Sequence, residues 1–352
     1  MDKIYDPIFD KVLFIGPDKR GKGGIASVLN SYDRNFAPFH YLGTNVRDNK
    51  VLGYLRVIVT ALRMPFARMK GRKIVHVHYA SGKSWYRKVL LMKWARLLGF
   101  KVIGHCHAAE MREFSKRKGY DNMRRVLDKC AANIVLSQSW VDFFEQYIKC
   151  GNVFCVNNIV EPSVGDIESR DYKKPVTFLF LGYIGPRKGI FETLEAVSLL
   201  KKEGYNLKLI VGGNGETERL QAEIKRLGVE DLVDFRGWID NDAKESVFAE
   251  SDVFVLPSFN EGLPITILEA MSHGKGVVAS PVGGIPEIIR EKLNGKLITP
   301  GNIDELKNGL CEYIKNPSMI KEHGVASQAI IQAYYPKSVI EQLIEIYKEV
   351  VS

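Results

Sequence analysis

Two carboxylates and two cations stand where chemistry on a charged, hydroxyl-rich ligand would need them. Glu261 and Glu269 lie eight residues apart in NEGLPITILEAM, with Gly262-Leu263-Pro264 leading into a helix expected from about Pro264. Proline suits a first helical turn, and the amides around Leu263 and Ile265 are open to diphosphate or sugar oxygens. A loop carboxylate such as Glu261 can accept hydrogen bonds from sugar hydroxyls. Glu269, about a turn and a half into the helix, can reach the same ligand. Spacing alone leaves open a solvated helix carboxylate beside an ordinary loop acid. Arg187 and Lys188, in GPRKG after an apolar run, could neutralise a departing diphosphate without a metal, because fixed charge needs no reorganisation in the transition state. A solvated basic turn is the plain alternative.

Histidines and glycines extend the set. His107 ends KVIGHCH, where a strand's carboxyl end would present it to a ligand, and His105 shares its face. His76 and His78 pair in the same way on another strand, and a core histidine bonded to a carbonyl is the alternative for each. Gly23 and Gly24 precede a helix from about Ile25, where backbone can approach an anion closely. Gly212-Gly213-Asn214-Gly215 is glycine-rich without the full dinucleotide fingerprint, which argues against a dehydrogenase.

Other patterns mislead. Gly16–Gly23 nearly spells a phosphate-binding P-loop, yet Gly23 stands where Ser or Thr must ligate magnesium. Asp240-Asn241-Asp242 has the form of a metal-binding pair, but its place before a helix favours capping. No metal or other cofactor is expected.

The elements that must position these residues alternate. Short apolar runs at Lys11–Ile15, Ile74–Val77, Val102–Ile103 and Ile134–Leu136 read as buried parallel strands, with helical spacing at Trp85–Leu98 and Ser139–Ile148. The rhythm lapses over the polar segment Asn157–Lys174. It resumes at Val176–Leu181, Leu207–Val211, Leu232–Phe235, Val253–Leu256 and Val277–Ala279. This predicts an α/β chain of two Rossmann-like domains, 1–160 and 161–335. A helix over 336–352 shows its apolar stripe at Ile340, Leu343, Ile344 and Tyr347, and could pack on either domain. Ligands in such sheets lie beyond the strands' carboxyl ends.

Bulk properties narrow the partners. Residues 1–170 hold 29 Lys and Arg against 15 Asp and Glu, a net of +14, which leaves 50 − 29 = 21 basic and 41 − 15 = 26 acidic residues, a net of −5, in the remainder. The basic half suits an anionic surface or acceptor, and no nucleic-acid recognition module accompanies it. Arg56–Lys73 and Lys83–Lys101 mix cations with apolar residues, and either a membrane face or a helix with one buried stripe fits them. No apolar run is long enough to span a bilayer. Five cysteines without a C-x-x-C pair fit reduced thiols in a cytoplasmic protein.

The block SDVFVLPSFNEGLPITILEAMSHGKGVVAS, with PVGGIPEII and NGKLI after it and FLGYIGPRKG and VGGNGE before it, resembles the donor domain of family-4 retaining glycosyltransferases, whose signature is Glu, seven residues, Glu. GGIASVL, VHVHYA and HAAE fit the family's acceptor domain, with Ala108 where the family often has glycine. The resemblance implies the GT-B fold, two domains facing a central cleft, with an acceptor-side domain first and a donor domain second. It implies His107, Arg187, Lys188 and Glu261 as catalytic groups. Donor binding would fall to Gly23, Gly24, Gly212, Gly215, Trp238, Ile239, Leu263, Ile265 and Glu269. The expected donor is a UDP- or GDP-sugar, and the acceptor a glycan or lipid-linked glycan at the inner face of a bacterial membrane, in surface polysaccharide assembly. A nucleotide-sugar epimerase of related fold and a noncatalytic nucleotide-sugar-binding subunit are the alternatives.

Overall fold

The structure is a computed structural model that describes residues 3–21, 23–44, 50–163 and 175–352. It divides into two compact units, Met1–Ile159 with Tyr334–Ser352, and Val160–Ala333. The 336–352 segment thus belongs with the first unit. Most of the expected linker, 164–174, lies outside the described residues, as does Lys22 of the P-loop-like turn.

The first unit is built on six parallel strands in the spatial order Tyr41–Gly43, Val12–Gly16, Ile74–Tyr79, Lys101–Cys106, Ala132–Val135, Val153–Cys155. Its inner strands are buried along nearly their whole length, as strands covered on both faces must be. Chain order reverses between Val12–Gly16 and Ile74–Tyr79. The helix Pro336–Val351 packs here through Val339, Ile340, Leu343 and Tyr347, with Ile346 buried and Ile344 only half-buried. Tyr347 meets Phe9 edge-on at 6.2 Å.

The second unit repeats the design with the order Val233–Phe235, Leu207–Gly212, Val176–Leu181, Val253–Leu256, Gly276–Ala279, Gly295–Leu297, again all parallel. Here the reversal falls between Val176–Leu181 and Val253–Leu256, paired through Val253 with Phe178 and Phe254 with Leu179. The segments leaving those two strands are therefore neighbours at the topological switch point.

Candidate active site

The switch point of the second unit gathers the charged residues expected to do chemistry. Arg187 and Lys188 sit on a single 3-10 turn, Pro186–Lys188, after the first strand. Glu261 follows the fourth strand and is only 5% exposed. Its Oε1 lies 2.5 Å from Lys188 Nζ and 3.6 Å from Arg187 Nη1, and it accepts from Ser258 Oγ at 2.8 Å. Arg187 Nη1 also donates to the Asn260 carbonyl at 2.7 Å, and the Phe259 amide donates to the Arg187 carbonyl at 2.9 Å. Two cations on one nearly buried carboxylate leave a net positive charge at the strand ends. Removing one partner of such a pair strands the other, typically at about 3–5 kcal/mol.

Glycine makes this approach feasible. Gly189 has φ +73°, and a Cβ there would stand 2.2 Å from the Pro257 carbonyl oxygen. Gly283, at φ +59°, would place a Cβ 2.1 Å from the Glu261 carbonyl oxygen. Both positions need the left-handed region and the missing side chain together. The helix opens at Ile265, one residue later than expected, and runs to Ser272 without a side-chain cap on its first turn. Leu263 is buried and Ile265 half-buried.

Glu269 projects from that helix onto Lys244, whose Nζ lies 2.7 and 2.9 Å from its two carboxylate oxygens. Nothing around Lys244 in the sequence marks it out, because the pairing spans 25 residues. Gly212 and Gly215 have packing reasons of their own. A Cβ on Gly212 would meet Leu181 and Ile239 at 2.6 and 2.5 Å, and one on Gly215 the Ile184 carbonyl oxygen at 2.3 Å. Ile239 is consequently buried against Gly212, whereas Trp238 beside it is exposed. Asp240 caps the next helix by accepting from the Ala243 amide at 3.2 Å, as its place before that helix suggested.

In the first unit the four strand histidines form one stack. His78 and His105 are register partners. His76 Nε2 lies 3.1 Å from His105 Nδ1, His78 Nδ1 lies 2.9 Å from His107 Nε2, and His76 Nδ1 meets Tyr347 Oη at 2.6 Å. Of the four, His76, His78 and His105 are fully buried and His107 is partly exposed, so His107 is the ring that reaches the strand-end surface. Desolvation lowers the pKa of all four, to about 3 for His76 and His107. They are neutral imidazoles at physiological pH. Nitrogens of His76, His78 and His105 lie within 4.8 Å of one another, the ligand chemistry of a d-block ion. The His76 and His78 rings, however, are stacked 4° from parallel at 4.5 Å, and one would have to turn for both to aim at one ion. Gly23 and Gly24 differ from the other candidate glycines. They open the Gly24–Asn35 helix, and an added Cβ on either meets nothing within 4 Å.

The comparisons follow this division. Residues 166–330 match the family model of glycosyl transferases group 1. An uncharacterized glycosyltransferase of Methanocaldococcus jannaschii is 31% identical over 173 residues, 48% of this chain and 44% of that protein. The amylovoran biosynthesis glycosyltransferase of Erwinia amylovora is 28% identical over 196 residues, 53% of this chain and 48% of its own. The chain spans about half the length of the curated relatives it matches. Among solved structures, sucrose-phosphate synthase from Thermosynechococcus elongatus superposes with TM-score 0.80 at 16% identity over 97% of this chain and 98% of that one. Anabaena HepE in complex with UDP and glucose gives 0.75 at 18% over 96% and 99%. The chain therefore has the GT-B fold, and its residues 166–330 are similar to the glycosyl transferases group 1 family.

Proposed function

We propose that the protein is a retaining glycosyltransferase that moves a sugar from a UDP- or GDP-sugar to a glycan or lipid-linked acceptor in bacterial surface polysaccharide synthesis. The observation that carries this is the Arg187–Lys188–Glu261 cluster at the switch point of a sheet inside the matched region. An arriving diphosphate competes with Glu261 for Lys188 and Arg187. The displaced carboxylate is then free to accept hydrogen bonds from the donor sugar. As the glycosidic bond to phosphate breaks, the two cations hold the charge that builds on the leaving oxygens. Uncapped amides at the start of the Ile265–Ser272 helix add donors on the same side.

Glu269 takes the ribose hydroxyls in this reading, exchanging its bond to Lys244 for them. Trp238 and the Gly212–Gly215 turn flank the base. His107 is assigned to a sugar hydroxyl as a neutral hydrogen-bonding ring, and Gly23 and Gly24 to ligand contact through open backbone. The leaving phosphate helps to deprotonate the acceptor on the same face of the sugar, so no carboxylate nucleophile and no metal are required. The protein works in the cytoplasm and touches the membrane peripherally through its basic half. No described helix is long and apolar enough to cross a bilayer. Incubation with labelled donor and lipid-linked acceptor, with and without a chelator, tests this reading. A product with the donor's anomeric configuration, formed equally in both, is expected, and an inverted product overturns the retaining mechanism.

A further inference from the structure

Between Asp48 and Glu110 the chain carries 13 Lys and Arg and no Asp or Glu. This stretch supplies the helices Lys50–Met69 and Lys83–Leu97, which leave apolar side chains in solvent at matching spacing: Leu62, Phe66 and Met69 on one, Leu90, Trp94 and Leu97 on the other. The two helices adjoin. Trp94 Nε1 donates to the Ala61 carbonyl at 3.0 Å, and the Arg68 guanidinium lies 5.9 Å from the Phe100 ring centre. Scattered exposed apolar residues are ordinary, but two neighbouring stripes make a patch that calls for a partner.

Leu97 belongs both to its stripe and to the wall of a cavity of about 610 Å³. Phe100 and Val102 line that cavity as buried apolar floor, and Lys93, Arg96, Lys101, Arg125 and Lys129 surround it. No carboxylate lines it. Among the described residues none of these five cations is held in an ion pair, so their charge is available to a ligand. The cavity opens beside Lys101 and Ala131, at the amino ends of two strands. It is therefore at the opposite edge of the sheet from His107 and Gly24 and forms no part of the candidate active site.

We propose that this cavity holds the phosphate headgroup of an anionic membrane lipid, while the two apolar stripes lie in the interface beside it. Cations at the rim answer the phosphate, and the apolar floor and stripes answer the acyl portion that a free phosphate lacks. The proposal rests on the peripheral membrane contact in the function proposed above and gives that contact a specific seat.

Co-sedimentation with vesicles of phosphatidylcholine alone, or mixed with phosphatidylglycerol, tests it. The wild type should prefer the anionic vesicles by roughly 10- to 100-fold, less at high salt. Arg96→Glu/Arg125→Glu should abolish the preference while weak binding to neutral vesicles persists. Leu62→Asp/Phe66→Asp should weaken binding to both kinds. A matched reversal on the second unit, Lys202→Glu/Lys225→Glu, should leave the preference intact. If that control loses it equally, net charge rather than the cavity is responsible and the proposal fails. It fails also if Arg96→Glu/Arg125→Glu keeps the full preference, or if glycerol 1-phosphate raises the Tm of a wild type that binds no vesicles, which would mark a soluble ligand. Nucleotide-sugar binding measured on the same samples separates this failure from failure of the transferase reading.

Discussion

At its switch point the second unit pairs charges, whereas the first unit stacks neutral rings along its two central strands. Lys188, Arg187 and Glu261 are paired around one nearly buried carboxylate, and Lys244 holds Glu269. Along the two central strands Ile74–Tyr79 and Lys101–Cys106 and just past the latter, the first unit carries four imidazoles kept unprotonated by burial, with Tyr347 hydrogen-bonded at the inner end and the partly exposed His107 at the other. Sheets of the same design therefore prepare different chemistry. The charged site carries its own counter-ions, which in the proposed function a ligand's charge would displace. The neutral one can orient hydroxyls without adding charge.

The largest effect should come from breaking the charged cluster. Lys188→Met is predicted to lower turnover about 100- to 1,000-fold and, by leaving Glu261 buried and unpaired, to destabilise the second unit by about 3–5 kcal/mol. Lys188→Met/Glu261→Gln should recover most of that stability and none of the turnover. Denaturant unfolding of both variants beside a donor-turnover assay checks the pair. Recovery of activity with stability would mean that the cluster only holds the loops together.

Next come the glycines, which fall into the same two groups. Gly189→Ala and Gly213→Ala drive a Cβ to within 2.2 Å of the Pro257 carbonyl oxygen and 1.9 Å of the Gly182 carbonyl oxygen, and should cost about 2–4 kcal/mol each. Gly24→Ala meets open space and should change stability by less than about 0.5 kcal/mol while weakening ligand binding. A large loss of stability from Gly24→Ala would remove the reason to treat that turn as a ligand contact.

The neutral histidines make the first unit sensitive to acid. An unfolded histidine binds a proton below about pH 6.5, while folded His76 and His107 refuse one until about 3. The unfolded chain therefore binds more protons between those values. The stability is complete above pH 6.5 and is lost as pH falls through the window, by up to about 1.4 kcal/mol per pH unit for each histidine. Urea unfolding at pH 7 and pH 5 should show the drop in fluorescence from Trp85, Trp94 and Trp140, all of the first unit. An unchanged midpoint would contradict a neutral stack. Tyr347→Phe, which deletes the hydroxyl beside His76, should cost about 1 kcal/mol in the same unfolding measurement.

Most of the fold was legible because long apolar runs such as Val176–Leu181 are buried on both faces, and the polar stretch before Pro175 marked the change of unit. Of the four three-residue edge strands described, Tyr41–Gly43, Val153–Cys155 and Gly295–Leu297 carry too little pattern to stand out, whereas Val233–Phe235 lies in the run Leu232–Phe235. In the candidate site, Arg187 and Lys188, adjacent in sequence, could be grouped in advance. Partners joined only by folding could not. Lys244 reaches Glu269 from another helix, and Tyr347 reaches His76 across 271 residues. Glycine's two roles also look alike in sequence. Gly212 and Gly24 separate only once the neighbours of a missing Cβ are seen.

The central claim is that the second unit binds a nucleotide-sugar through Glu269 and the cluster at its switch point. The most direct test is a thermal shift with UDP- and GDP-sugars on the wild type and Glu269→Ala. At about 100 times its dissociation constant a ligand should stabilise the folded protein by about 2.7 kcal/mol. The account predicts that shift for one nucleotide class in the wild type and its loss in the variant. An equal shift in both proteins, or none with any nucleotide-sugar, would contradict it.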